Sequence, residues 1–113
     1  MTEKPAIVLR HGGSPDPAVL REVCAGAEEE GVPTRVEQVR AAGADGAVAL
    51  AHAAALESPL ETGIGIDESG GVAVHHASLP AEAPVQRVEA GSPRPDLRIA
   101  GRTAARIVKV LPL

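Results

Sequence analysis

No phenylalanine, tyrosine or tryptophan occurs anywhere in the 113 residues. That removes the aromatic platform on which single-stranded nucleic acid stacks. It also leaves valine, leucine, isoleucine and alanine to fill the core, each burying less area than an aromatic ring. The isolated chain is therefore expected to be modestly stable and to leave some apolar surface for another molecule to cover. Cysteine is nearly absent as well: Cys24 stands alone, which excludes an internal disulfide and fits a reducing cytosol. Positive charge is in deficit, with 11 Lys and Arg against 15 Asp and Glu and a net charge of −4. A phosphate backbone calls for the opposite balance. No apolar run approaches the roughly 20 residues that span a bilayer. The start, Met1-Thr2-Glu3-Lys4-Pro5, lacks the apolar stretch of a secretory signal. These absences predict a soluble, cytoplasmic protein that engages neither nucleic acid nor membrane.

What is present reads as one domain over residues 1–113, since the chain is too short for two. Ala6-Ile7-Val8-Leu9 is a short apolar run of the kind found in a buried central strand. Asp16-Pro17 predicts a helix start, with Asp16 as N-cap and Pro17 at the first helical position. Val19, Leu20, Val23, Cys24 and Ala27 then form one helical stripe, and Gly31 ends it. Val32 to Val39 reads as a second strand. Ala44 to Leu56 reads as an alanine-rich helix with Val48, Ala51 and Ala55 on one face, stopped by Ser58-Pro59. Gly63–Ile66 and Val72–His76, separated by the turn sequence Asp67-Glu68-Ser69-Gly70-Gly71, predict an antiparallel hairpin. A short strand follows at Val85 to Glu89. Asp96 is then expected to cap a last helix in which Leu97, Ala100, Ala104, Ile107, Val108 and Leu111 recur at helical spacing. The order βαβαβββα implies an α/β fold: three layers, with helices on both faces of a mixed, mainly parallel sheet of about five strands.

A search for chemistry finds little. His11-Gly12-Gly13 follows the first strand, where open α/β sheets place ligand loops. It has neither a dinucleotide nor a P-loop fingerprint, and a flexible loop is the expected reading. Cys24 lies on an apolar stripe and reads as a small core residue rather than a nucleophile. His52, on a helix, reads as a surface or satisfied core residue. His75 and His76 are adjacent in a strand and point to opposite faces, so they cannot chelate one metal together. No Ser-His-Asp, CxxC, HExxH or Walker pattern is present, and the chain is not expected to be an enzyme.

Glu28-Glu29-Glu30 stands out by position. It falls in the last turn of the first helix, where the helix dipole presents its negative end and carboxylates are disfavoured. Two readings follow. The triplet is a solvated acidic surface, or a cation from outside relieves the repulsion, either a metal ion or a partner's arginine. One segment cannot supply a full metal cage, but a single Glu could complete a site on another protein. Arg106 and Lys109, in the last turns of the final helix, read as dipole partners.

Four segments, taken in order, resemble one family. They are Glu28-Glu29-Glu30-Gly31-Val32-Pro33-Thr34-Arg35; Ser58-Pro59-Leu60 with Gly63-Ile64 and Asp67; Val72-Ala73-Val74-His75 with Leu79-Pro80 and Pro84; and Gly101-Arg102-Thr103-Ala104-Ala105-Arg106-Ile107-Val108-Lys109 with Pro112. Together they resemble the small subunit of the reactivating factor for coenzyme-B12-dependent diol and glycerol dehydratases. The resemblance departs where the family's usual Asn pair is replaced by Arg102-Thr103. It implies a fold similar to the dehydratase's medium subunit and a large Hsp70-like ATPase partner, typically two of each. It also implies a chaperone activity in which subunit exchange with the inactivated dehydratase releases damaged cobalamin. ATP and ADP would be held by the large subunit. Glu29 would be the single ligand this chain adds to a Mg²⁺ or Ca²⁺ site on that subunit, with Glu28 and Glu30 beside it at the interface. The implied location is cytoplasmic, with a bacterial microcompartment as one setting.

Two other readings compete: a medium, structural subunit of a B12-dependent dehydratase, and a free-standing small-molecule-binding domain. The medium subunit carries a long N-terminal extension, whereas the first strand here begins almost at once, which favours the chaperone. Thermal melting of the isolated chain checks the first expectation. A low midpoint is expected, and a high-melting monomer would contradict it.

Overall fold

The computed structural model describes residues 4–39 and 46–110. Along the chain come β1 (Ile7–Gly12), α1 (Pro17–Glu29), β2 (Thr34–Val39), α2 (Ala47–Glu57), β3 (Thr62–Ile66), β4 (Val72–His76), β5 (Gln86–Val88) and α3 (Arg94–Val110). The five strands form one sheet in the order β2-β1-β3-β4-β5. β1 pairs in parallel with β2 and with β3, while β4 pairs antiparallel with both β3 and β5. Only β4 therefore runs against the rest, and the sheet is mixed and mainly parallel, as the element order predicts.

Strand alternation divides the side chains between two helical layers. Ile7 and Leu9 of β1, Ile64 and Ile66 of β3, and Val72 and Val74 of β4 join one buried cluster with Val23 and Ala27 of α1 and Leu97, Ala100 and Ala104 of α3. Ala73, between Val72 and Val74, faces the other way and packs on Ala47 and Ala51 of α2. The three layers are thus α1 with α3, the sheet, and α2.

The layers approach to backbone contact, which is why a core without aromatic rings can close. At Gly63 and Gly65 of β3, a Cβ atom would collide with backbone atoms of Ala47, Ala51 and Ala55 in α2. At Gly26 of α1 it would strike the Arg98 carbonyl, and at Gly101 of α3 the Val23 carbonyl. Alanine-faced helices against glycine-bearing partners replace the volume that larger side chains would otherwise supply.

Several residues of the ordered motifs hold this framework together. The Asp16 carboxylate accepts from the Ala18 N–H at 2.9 Å, with Pro17 opening α1 as the sequence predicts. Gly31 adopts φ +79° just past the helix. Its N–H donates to the Glu28 carbonyl (2.9 Å) and the Val32 N–H to the Ala27 carbonyl (3.2 Å), a Schellman closure that satisfies the helix's last acceptors. The buried Ser58 hydroxyl donates to the Ala6 carbonyl at 2.7 Å and ties the end of α2 to the start of the sheet. Asp67 Oδ1 accepts from the Ser69 and Gly71 N–H groups, both at 2.9 Å, and shapes the β3–β4 turn.

The structure corrects some boundaries. α3 begins at Arg94, so Asp96 sits in its first turn instead of capping it. Pro95 is tolerated there because first-turn N–H groups have no intrahelical acceptor. β1 extends to Gly12, because β2 and β3 pair with it on both sides well past the apolar run, and His11 pairs with Gln38 and Ile66. His11 and Gly12 are thus strand residues, and the expected flexible loop is confined to the residues after them. Val32 precedes β2 because it is spent on the α1 closure and buried there. β5 is shorter than Val85 to Glu89, and the buried face of α2 adds Leu50 and Ala54 to the expected residues. Ala44, Leu111 and Pro112 lie outside the described residues.

The glycine contacts make a quantitative prediction. Gly26→Ala or Gly101→Ala gains roughly 1 kcal/mol of helix propensity but forces a methyl group into backbone that cannot give way, an overpacking cost of about 1–3 kcal/mol or more. Each is expected to lower the urea midpoint, and an unchanged or raised midpoint would show that the helices can part freely.

Candidate functional site

The Schellman closure places Glu29 in the final turn of α1 with Glu30 immediately behind it, and the glycine crossing determines what they meet. α1 and α3 run side by side in the same direction, touching at Gly26 and Gly101. On α3, Arg98, Arg102, Arg106 and Lys109 recur at helical spacing along the flank that faces α1. Arg98 Nη2 lies 2.9 Å from Glu22 Oε1, and Arg98 Nε 3.3 Å from Glu29 Oε1. Arg102 Nη2 donates to Glu29 Oε2 at 2.6 Å. Lys109 Nζ donates to Glu30 Oε1 at 3.1 Å, with Arg106 Nε 4.0 Å from the same oxygen. Glu28 is exposed and makes no ion pair among the described residues.

Glu29 and Glu30 are therefore not waiting for a cation from outside: α3 supplies their partners in cis. The hydrogen bond from Arg102 holds the Glu29 carboxyl below its ordinary value, and Lys109 does the same for Glu30. Glu29 in turn raises the already high value of Arg102. Arg106 and Lys109 act on the Glu30 carboxylate, a more specific role than the dipole partnership expected of them. Sequence reasoning missed Arg98 and Arg102 as partners of the triplet. The spacing of Arg98, Arg102, Arg106 and Lys109 was visible, but nothing local said that this stripe would face α1.

The remaining candidates resolve into structure. His75 is fully buried. Its Nε2–H donates to the Ala81 carbonyl at 3.0 Å and its Nδ1 accepts from the His76 N–H at 3.0 Å, so neither nitrogen is available as base or ligand. Its ring centroid lies 4.8 Å from that of the half-buried His52 on α2. His76 Nδ1 accepts from the Ser78 N–H at 3.1 Å, and the Ser78 hydroxyl is 2.7 Å away. Cys24 packs half-buried against the core, where burial pushes its thiol up and away from reactivity. Among the described residues no three His, Cys, Asp or Glu side chains gather as a metal cage. No helix there is long and apolar enough to cross a membrane. What the α1–α3 face offers is one partly exposed carboxylate, Glu29, that could complete a site held elsewhere, set in a strip of alternating charge.

Comparison with known proteins places this geometry. A sequence model of the dehydratase medium subunit family matches residues 4–113, and the chain belongs to that family. Curated relatives are small subunits of glycerol, diol and propanediol dehydratase-reactivating factors. The chain is 37% identical over 94 residues to the probable glycerol dehydratase-reactivating factor small subunit of Citrobacter freundii, covering 83% of this chain and 79% of that one. It is 39% identical over 92 residues to the diol dehydratase-reactivating factor small subunit of Klebsiella michiganensis, covering 81% and 70%. Among solved structures, a glycerol dehydratase reactivase chain superposes with a TM-score of 0.88 at 38% identity, covering 97% of this chain and 96% of that one. A chain of the diol dehydratase-reactivating factor complexed with ADP and Mg²⁺ gives 0.84 at 36% identity, covering 97% of each.

The carboxyl shifts carry a pH signature. Glu29 and Glu30 titrate below the ordinary 4.5 when folded, so the unfolded chain binds more protons in that window. Their contribution is complete above about pH 4.5 and is lost as pH falls through the folded values. A Glu29→Gln/Glu30→Gln variant is expected to show a shallower acid limb in urea midpoints measured across pH. Parallel limbs for the two proteins would contradict the pairing.

Proposed function

We propose that this chain is the small subunit of a molecular chaperone that reactivates coenzyme-B12-dependent diol or glycerol dehydratase. It does no chemistry itself. It docks onto a large Hsp70-like ATPase subunit, two of each, in the cytoplasm or a bacterial microcompartment. The whole chain over 1–113 acts as one interaction domain. Its likeness to the dehydratase's medium subunit lets the factor exchange subunits with an inactivated dehydratase, opening the enzyme so that damaged cobalamin escapes. ATP and ADP, bound by the large subunit, switch the assembly between states. The reading is carried by one observation: a match over nearly the full length of reactivase chains, at 38% identity and a TM-score of 0.88.

The docking surface in this reading is the end of α1, with Glu28, Glu29 and Glu30 at the interface. Glu29 is partly exposed and brings one hard oxygen ligand, which suits Mg²⁺ or Ca²⁺ held mainly by the large subunit. A relative of this chain was solved in a factor complexed with ADP and Mg²⁺, which supports a divalent ion in the assembly. The exposed Val110 at the end of α3, on the same side of the sheet, fits an apolar contact that a partner covers. The medium-subunit alternative predicts instead a stable complex with the catalytic dehydratase subunit and tight cobalamin binding.

Two measurements test the proposal. Affinity purification is expected to recover an Hsp70-like ATPase, and recovery of the catalytic dehydratase subunit with bound cobalamin would favour the alternative. Glu29→Gln is expected to weaken association with the large subunit in Mg²⁺. A dissociation constant unchanged by the substitution, with and without EDTA, would remove Glu29 from the interface.

A further inference from the structure

We propose that Arg102 is a latch on Glu29: the free chain stores this carboxylate in an internal clasp, and docking exchanges Arg102 for a cation of the partner. The inference rests on the reading of Glu29 as a docking residue. Its own basis is the geometry of the clasp. Glu29 Oε2 accepts from Arg102 Nη2 at 2.6 Å, and Oε1 lies 3.3 Å from Arg98 Nε. The hydrogen bond to this carboxylate comes from Arg102 and a second guanidinium stands 3.3 Å away, so a new cation at Glu29 competes with Arg102 for the same negative charge.

The structure also indicates which arginine yields. Arg98 is anchored by a second carboxylate, Glu22, at 2.9 Å, whose side chain is only 12% exposed. The Nε of Arg98, though close to Glu29, makes no aligned hydrogen bond. The two arginines are about equally exposed, at 40% and 38%, but Arg102 makes its ion pair with Glu29 alone among the described residues, so no second carboxylate holds it once released. The glycine crossing and the Glu30–Lys109 contact keep the helices together while it does so. A latch of this kind must be weak enough to open, and a solvated pair meets that condition. A divalent ion or a guanidinium fixed in a partner's surface outcompetes it, whereas a dilute monovalent cation does not. The clasp therefore favours a partner that presents concentrated positive charge at that point.

The test is a double-mutant cycle on the dissociation constant between the full chain and purified large subunit of a reactivating factor, by calorimetry in excess Mg²⁺ and in EDTA. Arg102→Gln is expected to tighten binding about two- to fivefold, as removal of a solvated competing pair should. In a Glu29→Gln background the same substitution is expected to change nothing. Arg102→Lys, which keeps the charge and loses the fork, should fall between. In EDTA the gain disappears if the partner's cation is a metal ion and persists if it is a basic side chain, and either result supports the exchange. Weaker binding by Arg102→Gln, or an equal shift in both backgrounds, would mean that Arg102 is itself a contact and would overturn the latch. If Glu29→Gln weakens binding while Arg102→Gln has no effect, the latch alone fails. If Glu29→Gln has no effect, the docking role of Glu29 fails and the latch with it.

Discussion

The approach of α1 to α3 at Gly26 and Gly101 governs the rest of this molecule. Where two helices touch backbone to backbone, their flanking side chains have little freedom in what they face. Here the contact aligns Glu22, Glu29 and Glu30 with Arg98, Arg102, Arg106 and Lys109. Larger residues at the crossing would hold the helices apart and loosen these pairs into separate solvated charges. The same economy of volume recurs on the other side of the sheet, where Gly63 and Gly65 let α2 settle onto β3.

Much of the fold was legible because its signals are local. Asp16-Pro17 marks a helix start in any context, Gly31 supplies the left-handed residue a Schellman closure needs, and Asp67 to Gly71 can form little besides a turn. The mixed, mainly parallel character of the sheet followed from element order, since crossover connections leave few arrangements open. The misjudged boundaries are those that tertiary pairing decides. β1 runs to Gly12 because β2 extends its ladder that far, one residue beyond β3, and Val32 leaves β2 because the end of α1 claims it. Within the candidate site, the acidic triplet could be found in the sequence but its electrostatic state could not. Its partners lie 73 residues away for Glu29 and Arg102 and 79 for Glu30 and Lys109. A helix end judged alone looks uncomfortable, and in the folded chain Glu29 and Glu30 are paired with α3 while Glu28 stays exposed.

In the proposed function, that pairing changes what docking requires. An unpaired carboxylate cluster would attract any cation, whereas a paired one selects for a partner able to displace an arginine. Arg102 bonds the Glu29 carboxylate directly, so this chain carries a positive charge where it can hold Glu29 back. In the proposed function, this strip of matched charges offers Glu29 as the exchangeable carboxylate of a subunit that joins and leaves assemblies.

The central claim is that the α1–α3 face, and not the α2 face, meets the large subunit and its divalent ion. The most direct measurement replaces Mg²⁺ by paramagnetic Mn²⁺ in the assembled complex and records methyl spectra of this chain. The account predicts the strongest broadening at Ala27 and Val32 beside the end of α1, with Ala47, Ala51 and Ala73 on the opposite face broadened least. Broadening centred on those α2-side methyls, or none anywhere in the chain, would contradict it.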